Sequence, residues 1–318
     1  MIGEELIQIV SNNLPQIAEV VASAFGGTVL SAIFQRGNTK TSEFEKLKAG
    51  RMDEAIGQLL ENGVITYSEY YKARNFSKIA KKADKYFSDK GYSVKKGYEF
   101  DWFVRFYEAA GNISDENMQD IWAKILAGEI NNPSSYSLRL IDILKNLSKK
   151  DAERVRSVYD HAVLICDTLC IPNYTEYMEH CGIKYSDIMF LNELGLIFND
   201  STITLNVSVT KDKGIFVYND KFVVLICGDK MKTLRIGQFP FTSVGREFSS
   251  LLQCSLSTED LIKFTEALKE HCKGVESKIH QRIPTLDGSI KYIKSEVKIE
   301  IIDPEIKEFM EKELHEGV

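Results

Sequence analysis

The sequence lacks the short motifs that mark the common catalytic folds. It contains no G-x-x-x-x-G-K-[ST] or G-x-G-x-x-G string, no H-E-x-x-H pair and no G-x-S-x-G elbow. These absences exclude the common nucleotide hydrolases, zincins and α/β hydrolases, although not unusual enzymes. We therefore expect a protein without catalysis of its own and without a cofactor.

Paired cysteines are also missing. The chain has 6 cysteines, none in a C-x-x-C pair, and no cleavable signal peptide is recognisable, so we expect reduced thiols in the cytoplasm. Cys166, Cys170, His180 and Cys181 fall close together, and an i, i+4 cysteine pair on a helix would face one way. They form a weak zinc candidate, against the simpler interpretation of small buried hydrophobic residues.

An excess of positive charge is absent as well. The formal net charge of -6 gives no reason to expect nucleic acid as the main ligand. The local exception is Lys72–Lys96, where only two aspartates oppose nine basic residues. Lys78, Lys81, Lys82 and Lys85 share one helical face there. This basic patch is either a site for anionic lipid or phosphate, or a solvated helix face.

Long apolar runs are limited to Leu14–Phe34, which carries the single charge Glu19. Its length suffices to cross a bilayer as a helix, but its polar residues make the span marginal. Small residues at four-residue spacing favour close helix packing. We expect an assembly or core-docking helix, with conditional membrane insertion as the alternative. The residues concerned are Ala18, Ala22, Phe25, Gly26, Gly27 and Ser31.

The centre of the chain predicts a compact helical bundle. An i, i+3, i+4, i+7 stripe at Phe103, Phe106, Tyr107 and Ala110 stops at Gly111. Three further amphipathic helices follow, the last from Ser148 through Cys166, joined by short breaks that imply antiparallel neighbours.

Three strings in this bundle, Trp122–Ile130, Pro133–Ser137 and Leu144–Ala152, resemble an uncharacterised bacterial family. That family is similar in turn to the abortive-infection alpha proteins, which are linked to phage exclusion. The resemblance is clearest over residues 98–166 and extends more weakly to about residue 270. It implies a role in antiviral defence and supplies no catalytic residues.

The second half predicts a winged-helix-like domain. A helix at Tyr185–Ile197, alternating runs at Thr202–Val209 and Phe222–Cys227, and a helix starting at Thr242 follow in that order. The candidate recognition helix has no arginine or lysine after Lys184, so phosphate contacts are poorly supplied. We interpret the domain as a protein-interaction module rather than a DNA-binding one.

The C-terminal region adds a helix capped by Ser257 and Asp260, an alternating strand and an acidic tail. Asp287 followed by Glu296 and Lys298 resembles the way metal-dependent nucleases hold magnesium. Short Glu/Lys alternation is also common for solubility, so these three residues are only weak catalytic candidates.

The sequence thus predicts an α+β protein, predominantly helical, with a helical bundle followed by a winged-helix-like α/β domain. The expected segments are residues 1–36, 37–97, 98–170, 171–256 and 257–318. We expect a cytoplasmic antiviral defence component that acts by assembly with itself or with a partner defence protein. The alternatives are a membrane-disrupting effector acting through residues 14–34 and a metal-dependent nuclease.

Overall fold

The computed structural model of the chain describes residues 57, 60–61, 63, 65–93, 100–252, 254–283, 285 and 290–296. They form two compact units. The first holds the described residues through Asp151 together with Ser250–Leu252. The second holds residues 152–249 and those from 254 onward.

The first unit is helical. Its elements are α1 (Tyr67–Asp89), α2 (Phe100–Ala110), α3 (Glu116–Asn131), α4 (Leu138–Leu144) and the first residues of α5 (Lys149–Tyr159). Short side chains start these helices, as at Thr66, which makes a reciprocal capping box with Glu69. Asp115 and Ser137 cap α3 and α4 with one such bond each, by accepting the backbone N–H of Met118 and of Leu140 at the third position of the helix.

Aromatic side chains fill the core of this unit. Phe76 of α1 lies edge-on to Phe103 and Tyr107 of α2, with ring centroids 5.9 and 5.0 Å apart. Phe106 lies 5.3 Å from Trp122 of α3, and both are fully buried. The stripe predicted from the sequence is therefore the buried face of α2.

The second unit combines helices with β-structure. Its strands are β1 (Val163–Ile165), β2 (Thr168–Pro172), β3 (Thr204–Val209), β4 (Ile215–Tyr218), β5 (Phe222–Gly228), β6 (Lys232–Pro240), β7 (Val275–Ile283) and β8 (Lys291–Glu296). Its helices, besides the rest of α5, are α6 (Thr175–His180), α7 (Tyr185–Glu193), most of α8 (Ser243–Leu252) and α9 (Thr258–His271).

The strands form two antiparallel sheets, ordered β1-β2-β6-β3 and β4-β5-β7-β8. One hydrophobic core joins residues of both sheets, such as Ile236 and Val224, to Phe264 of α9. Alternation along the strands places one face of each sheet in this core.

The mixed α+β class is confirmed, but the order of a helical bundle followed by a winged helix is not. The runs at Thr202–Val209 and Phe222–Cys227 do form strands. They lie in different sheets, because β3 pairs with β6 whereas β5 pairs with β4 and β7. Strand partners are set by contacts between distant residues, which local patterning does not contain.

The fourth helix of the predicted bundle is shorter than expected. α5 ends at Tyr159, and the residues through Cys166 enter the β1–β2 hairpin instead. Cys166 and Asp167 form its turn with φ of 46° and 65°. The helical i, i+4 pairing expected for Cys166 and Cys170 therefore does not occur.

No helix in the described part of the chain is long and apolar enough to cross a membrane. The apolar run at 14–34 lies outside the described residues, so its role stays a prediction. The division into five segments also stays a prediction.

Candidate functional site

Three large apolar side chains are exposed on and beside α7. Tyr185, Met189 and Phe198 are 56%, 38% and 52% exposed. Tyr185 and Met189 lie one helical turn apart on the same side of α7. Asn199, which follows Phe198, places its amide 2.7 Å from the Met189 sulfur. We call Tyr185, Met189 and Phe198 the α7 face.

The opposite side of α7 is firmly held. Ile188 and Leu191 are fully buried in the second unit. Arg154 of α5 donates to the Asp187 carboxylate at 2.7 Å and to the Ser186 carbonyl at 2.8 Å, and its guanidinium lies 4.4 Å from the Phe190 ring centroid. Because hydrogen bonds and stacking fix this helix, the α7 face is presented on a rigid element.

The charge on α7 does not suit a phosphate backbone. Lys184 precedes the helix, and Asp187 and Glu193 are its ionisable residues besides Tyr185. Asp187 is already engaged by Arg154 and by the backbone N–H of Lys184, 2.9 Å away. An apolar face bordered by acidic groups is typical of protein recognition rather than of nucleic-acid binding.

A second feature of this unit is the His–Cys–Asp cluster, formed by His161, Cys181 and Asp260. Each offers one ligand atom, and these atoms all lie within 4.8 Å of one another. His161 follows α5, Cys181 ends α6, and Asp260 lies in the first turn of α9. Asp260 is only 4% exposed.

The Asp260 carboxylate is the centre of the cluster. Its Oδ2 lies 2.9 Å from His161 Nδ1, and its Oδ1 lies 3.6 Å from Cys181 Sγ. His180 Nε2 is 3.3 Å from the same Oδ1. Tyr177 donates to the His161 carbonyl at 2.7 Å, which fixes the backbone that carries the imidazole.

Ionisation in the cluster follows from burial and hydrogen bonding. Burial opposes the charge on Asp260, but hydrogen bonds from His161 and Ser257 outweigh it and lower the pKa of this carboxyl. The hydrogen bond to Asp260 raises the pKa of His161, against the effect of burial. Burial, helped by the Asp260 charge, raises the pKa of Cys181 to about 12.

These shifts decide against a nucleophilic cysteine in the cluster. A reactive thiolate needs a positive neighbour that lowers its pKa, whereas Cys181 faces a carboxylate. Burial likewise raises the pKa of the four thiols Cys166, Cys170, Cys227 and Cys254. In its hydrogen-bonded form the cluster is the Cys181 thiol and the His161 imidazole held by the buried Asp260 carboxylate, with His180 beside the same carboxylate.

An acidic groove lies beside the cluster, between α6 and α9. Its volume is about 480 Å³, and His180 is part of its lining. The charged lining residues are Glu176, Glu179, Lys263, Glu266 and Glu270. Since Lys263 is paired with Glu266 at 3.0 Å, the groove keeps a net negative charge.

The structure brings two residues of the weak zinc candidate to the His–Cys–Asp cluster and places the other two elsewhere. Cys181 belongs to the His–Cys–Asp cluster, and His180 contacts its carboxylate. Cys166 is exposed in the β1–β2 turn, and the buried Cys170 thiol points to the Val163 carbonyl at 3.6 Å. Sequence reasoning missed His161 and Asp260, although the Ser257–Asp260 cap was visible as a helix start.

The basic patch lies on α1 as predicted, but its lysines differ in surroundings. Lys78 and Lys85 are exposed, whereas Lys81 and Lys82 are half-buried. Lys82 Nζ pairs with Asp120 of α3 at 2.8 Å and donates to the Glu116 carbonyl at 2.9 Å. Lys82 therefore links α1 to α3, and its ammonium group already has two partners within the protein.

The remaining candidates lie at or beyond the edge of the described residues. The assembly residues between Ala18 and Ser31, and Asp287 and Lys298 of the nuclease candidate, are outside them. Glu296 is the last residue of β8, opposite His280 of β7.

Comparison with known proteins yields one family match. The family described as "Protein of unknown function (DUF2806)" matches residues 64–169, about a third of the chain. No curated protein and no solved structure matches the chain. The chain is thus similar, over α1 to the start of β2, to a family whose description gives no activity.

Proposed function

We propose that this protein is a non-enzymatic component of bacterial antiviral defence that acts by binding another protein through the α7 face. The single structural observation behind binding through the α7 face is the exposure of Tyr185, Met189 and Phe198 beside one rigidly held helix. Large aromatic side chains and methionine are enriched at the centres of protein interfaces.

Two chemical observations support protein binding, one against thiolate catalysis and one against DNA reading. Raised pKa values at five cysteines, Cys181 included, argue against thiolate chemistry at neutral pH. The acidic side chains on α7 argue against a DNA-reading role for that helix. The winged-helix-like interpretation of residues 171–256 belongs to this proposal, with α7 as the helix that contacts protein.

The defence role rests on the resemblance of residues 98–166 to a family similar to the abortive-infection alpha proteins. The partner is a second copy of the chain or another defence protein, and the cytoplasm is the expected compartment. Membrane disruption through residues 14–34 and a nuclease using Asp287, Glu296 and Lys298 stay predictions, since no described residue favours either.

The test is a double substitution, Tyr185→Ser with Met189→Ser, in the full chain expressed in a bacterial host. Removing two apolar anchors worth about 1–2 kcal/mol each should weaken partner binding by roughly 30- to 1000-fold. We expect protection against phage plating to fall at least about tenfold, because protection follows occupancy of the interface.

A matched control is Tyr67→Ser with Met231→Ser, which removes a tyrosine and a methionine that are 73% and 81% exposed elsewhere. Native mass by light scattering shows whether a second copy is the partner. A wild-type chain that never alters phage plating contradicts the defence role. A wild-type chain that protects as well as its α7 variant contradicts binding through the α7 face.

A further inference from the structure

The His–Cys–Asp cluster brings three different donor types to one point from distant parts of the chain. Hydrogen-bond contacts join His161 and Asp260, and Cys181 and Asp260, across 99 and 79 residues. The backbone carbonyl of His161 is held by Tyr177, and Asp260 is held by the Ser257 cap, whose hydroxyl accepts the Asp260 N–H at 2.9 Å. Side chains held in this way are preorganised for a common ligand.

The donor set suits a borderline-soft divalent metal. Imidazole nitrogen, thiolate sulfur and carboxylate oxygen are the three ligand types that zinc uses in proteins. Bonds of about 2.0–2.3 Å in a tetrahedron separate ligand atoms by roughly 3.3–3.8 Å. Cys181 Sγ lies 3.6 Å from Asp260 Oδ1, which is in that range. His161 Nδ1 lies 2.9 Å from the other carboxylate oxygen, Oδ2, so this contact has to open for one ion to bind all three side chains.

The acidic groove is a second and independent observation. It reaches the cluster at His180, whose Nε2 lies 3.3 Å from the Asp260 carboxylate. Four glutamates, Glu176, Glu179, Glu266 and Glu270, line it. Their charge raises the local concentration of a divalent cation beside His180, the groove residue that contacts the buried carboxylate.

We propose that His161, Cys181 and Asp260 bind a zinc ion, with His180 orienting the Asp260 carboxylate from the groove side. The fourth coordination position is left to a water molecule that faces the groove. On binding, the Cys181 thiol loses its proton to solvent and enters as the thiolate. His161 Nδ1 also gives up the N–H that it donates to Asp260, and the imidazole binds in its neutral form with the proton on Nε2. This site is separate from the α7 face and does not depend on the proposed function.

The test uses the full chain, treated with a chelator and then titrated with zinc against a chromophoric indicator. We expect one ion to bind per chain. With cobalt in place of zinc, a thiolate-to-metal charge-transfer band should appear, because one ligand is a cysteine sulfur.

The decisive variant is Cys181→Ser, which keeps a hydrogen-bond donor facing Asp260 and should therefore fold. We expect it to lose the charge-transfer band and at least about 100-fold in zinc affinity, because a ligand is removed. His180→Ala should lose about 10- to 100-fold, as expected for a residue that orients a ligand.

The matched control is Cys166→Ser, since Cys166 is exposed in the β1–β2 turn and lies outside the cluster. It should bind zinc as the unchanged chain does, and thermal unfolding should shift upward with zinc in both. A chain that binds no zinc overturns the proposal. Zinc binding that survives Cys181→Ser unchanged places the ion elsewhere and also overturns it.

Discussion

At the scale of single residues, Glu129 shows how a buried charge holds the first unit together. Its side chain lies at the end of α3, and the residue is 2% exposed. The carboxylate accepts three backbone N–H groups, from Ser134 at 2.6 Å, Ser135 at 3.0 Å and Tyr136 at 3.1 Å. It thereby accepts the backbone N–H groups of the turn between α3 and α4, where Ser134 has a φ of 66°.

We predict that Glu129→Ala lowers the free energy of unfolding by about 2–4 kcal/mol, because the buried carboxylate is removed and three part-buried backbone amides lose their acceptor. Denaturant titration of the two proteins measures the difference. Glu116→Ala is the control, since it removes an exposed glutamate from the same helix and should cost no more than about 1 kcal/mol. Equal losses in the two variants would contradict a special role for Glu129.

The same scale explains why the His–Cys–Asp cluster was only partly predictable. The sequence singles out His180 and Cys181 because they fall close to the i, i+4 pair Cys166 and Cys170. His161 and Asp260 lie on separate elements, and only the packing of α5, α6 and α9 brings their side chains together. No local period or motif contains that information.

At the scale of elements, the start of α8 depends on a close backbone approach. Thr242 caps this helix: its hydroxyl accepts the Gly245 N–H at 3.0 Å and donates to the Gly195 carbonyl at 2.7 Å. A Cβ on Gly245 would lie 2.0 Å from the Leu196 carbonyl oxygen. Only glycine therefore lets α8 begin here against the chain that follows α7.

We predict that Gly245→Ala lowers the free energy of unfolding by about 3 kcal/mol or more, because the contact is with backbone that has to move. Gly237→Ala in β6 is the matched control, since its nearest neighbour would be the Asn173 carbonyl oxygen at 3.6 Å. That variant should change the free energy by less than about 1 kcal/mol. Thermal unfolding followed by circular dichroism compares the two, and a neutral Gly245→Ala would refute the close approach.

Helices were predictable from the sequence to the extent that local chemistry defines them. The Ser148–Asp151 and Ser257–Asp260 caps occur as expected, and Gly195 closes α7 with a φ of 73°. The predictions that the structure corrects concern the pairing of strands and the length of the helix that follows Ser148. The β1–β2 hairpin stands where a helical turn is predicted, because β2 pairs with β6 and β1 pairs with β2.

At the scale of the whole molecule, the family match and the two units have different boundaries. The match ends at residue 169, inside β2, whereas the first unit ends at Asp151. The matched residues after Asp151 therefore belong to the second unit. Their partners lie far along the chain: Tyr159 packs on Phe241 and Phe248, with ring centroids 4.5 and 5.6 Å apart.

We predict that a fragment of residues 64–169 is less soluble than one of residues 64–283, because it exposes Tyr159, whose buried ring packs on Phe241 and Phe248 in the full chain. Size-exclusion chromatography and hydrogen exchange compare them. In the shorter fragment α5 and β1 should exchange their amides rapidly. Slow exchange there in a monomeric short fragment would contradict this dependence on the later residues.

The central position of β6 has a consequence for the order of events during synthesis. β2 and β3 leave the ribosome before β6, yet both take β6 as their neighbour in the sheet. The first sheet therefore cannot be completed until Pro240 has emerged from the ribosome. Because its strands pair over long sequence separations, this pairing is a slow step in folding. Until then Cys170, fully buried in the finished sheet, remains open to solvent on the nascent chain, so its protection marks the moment at which the sheet closes.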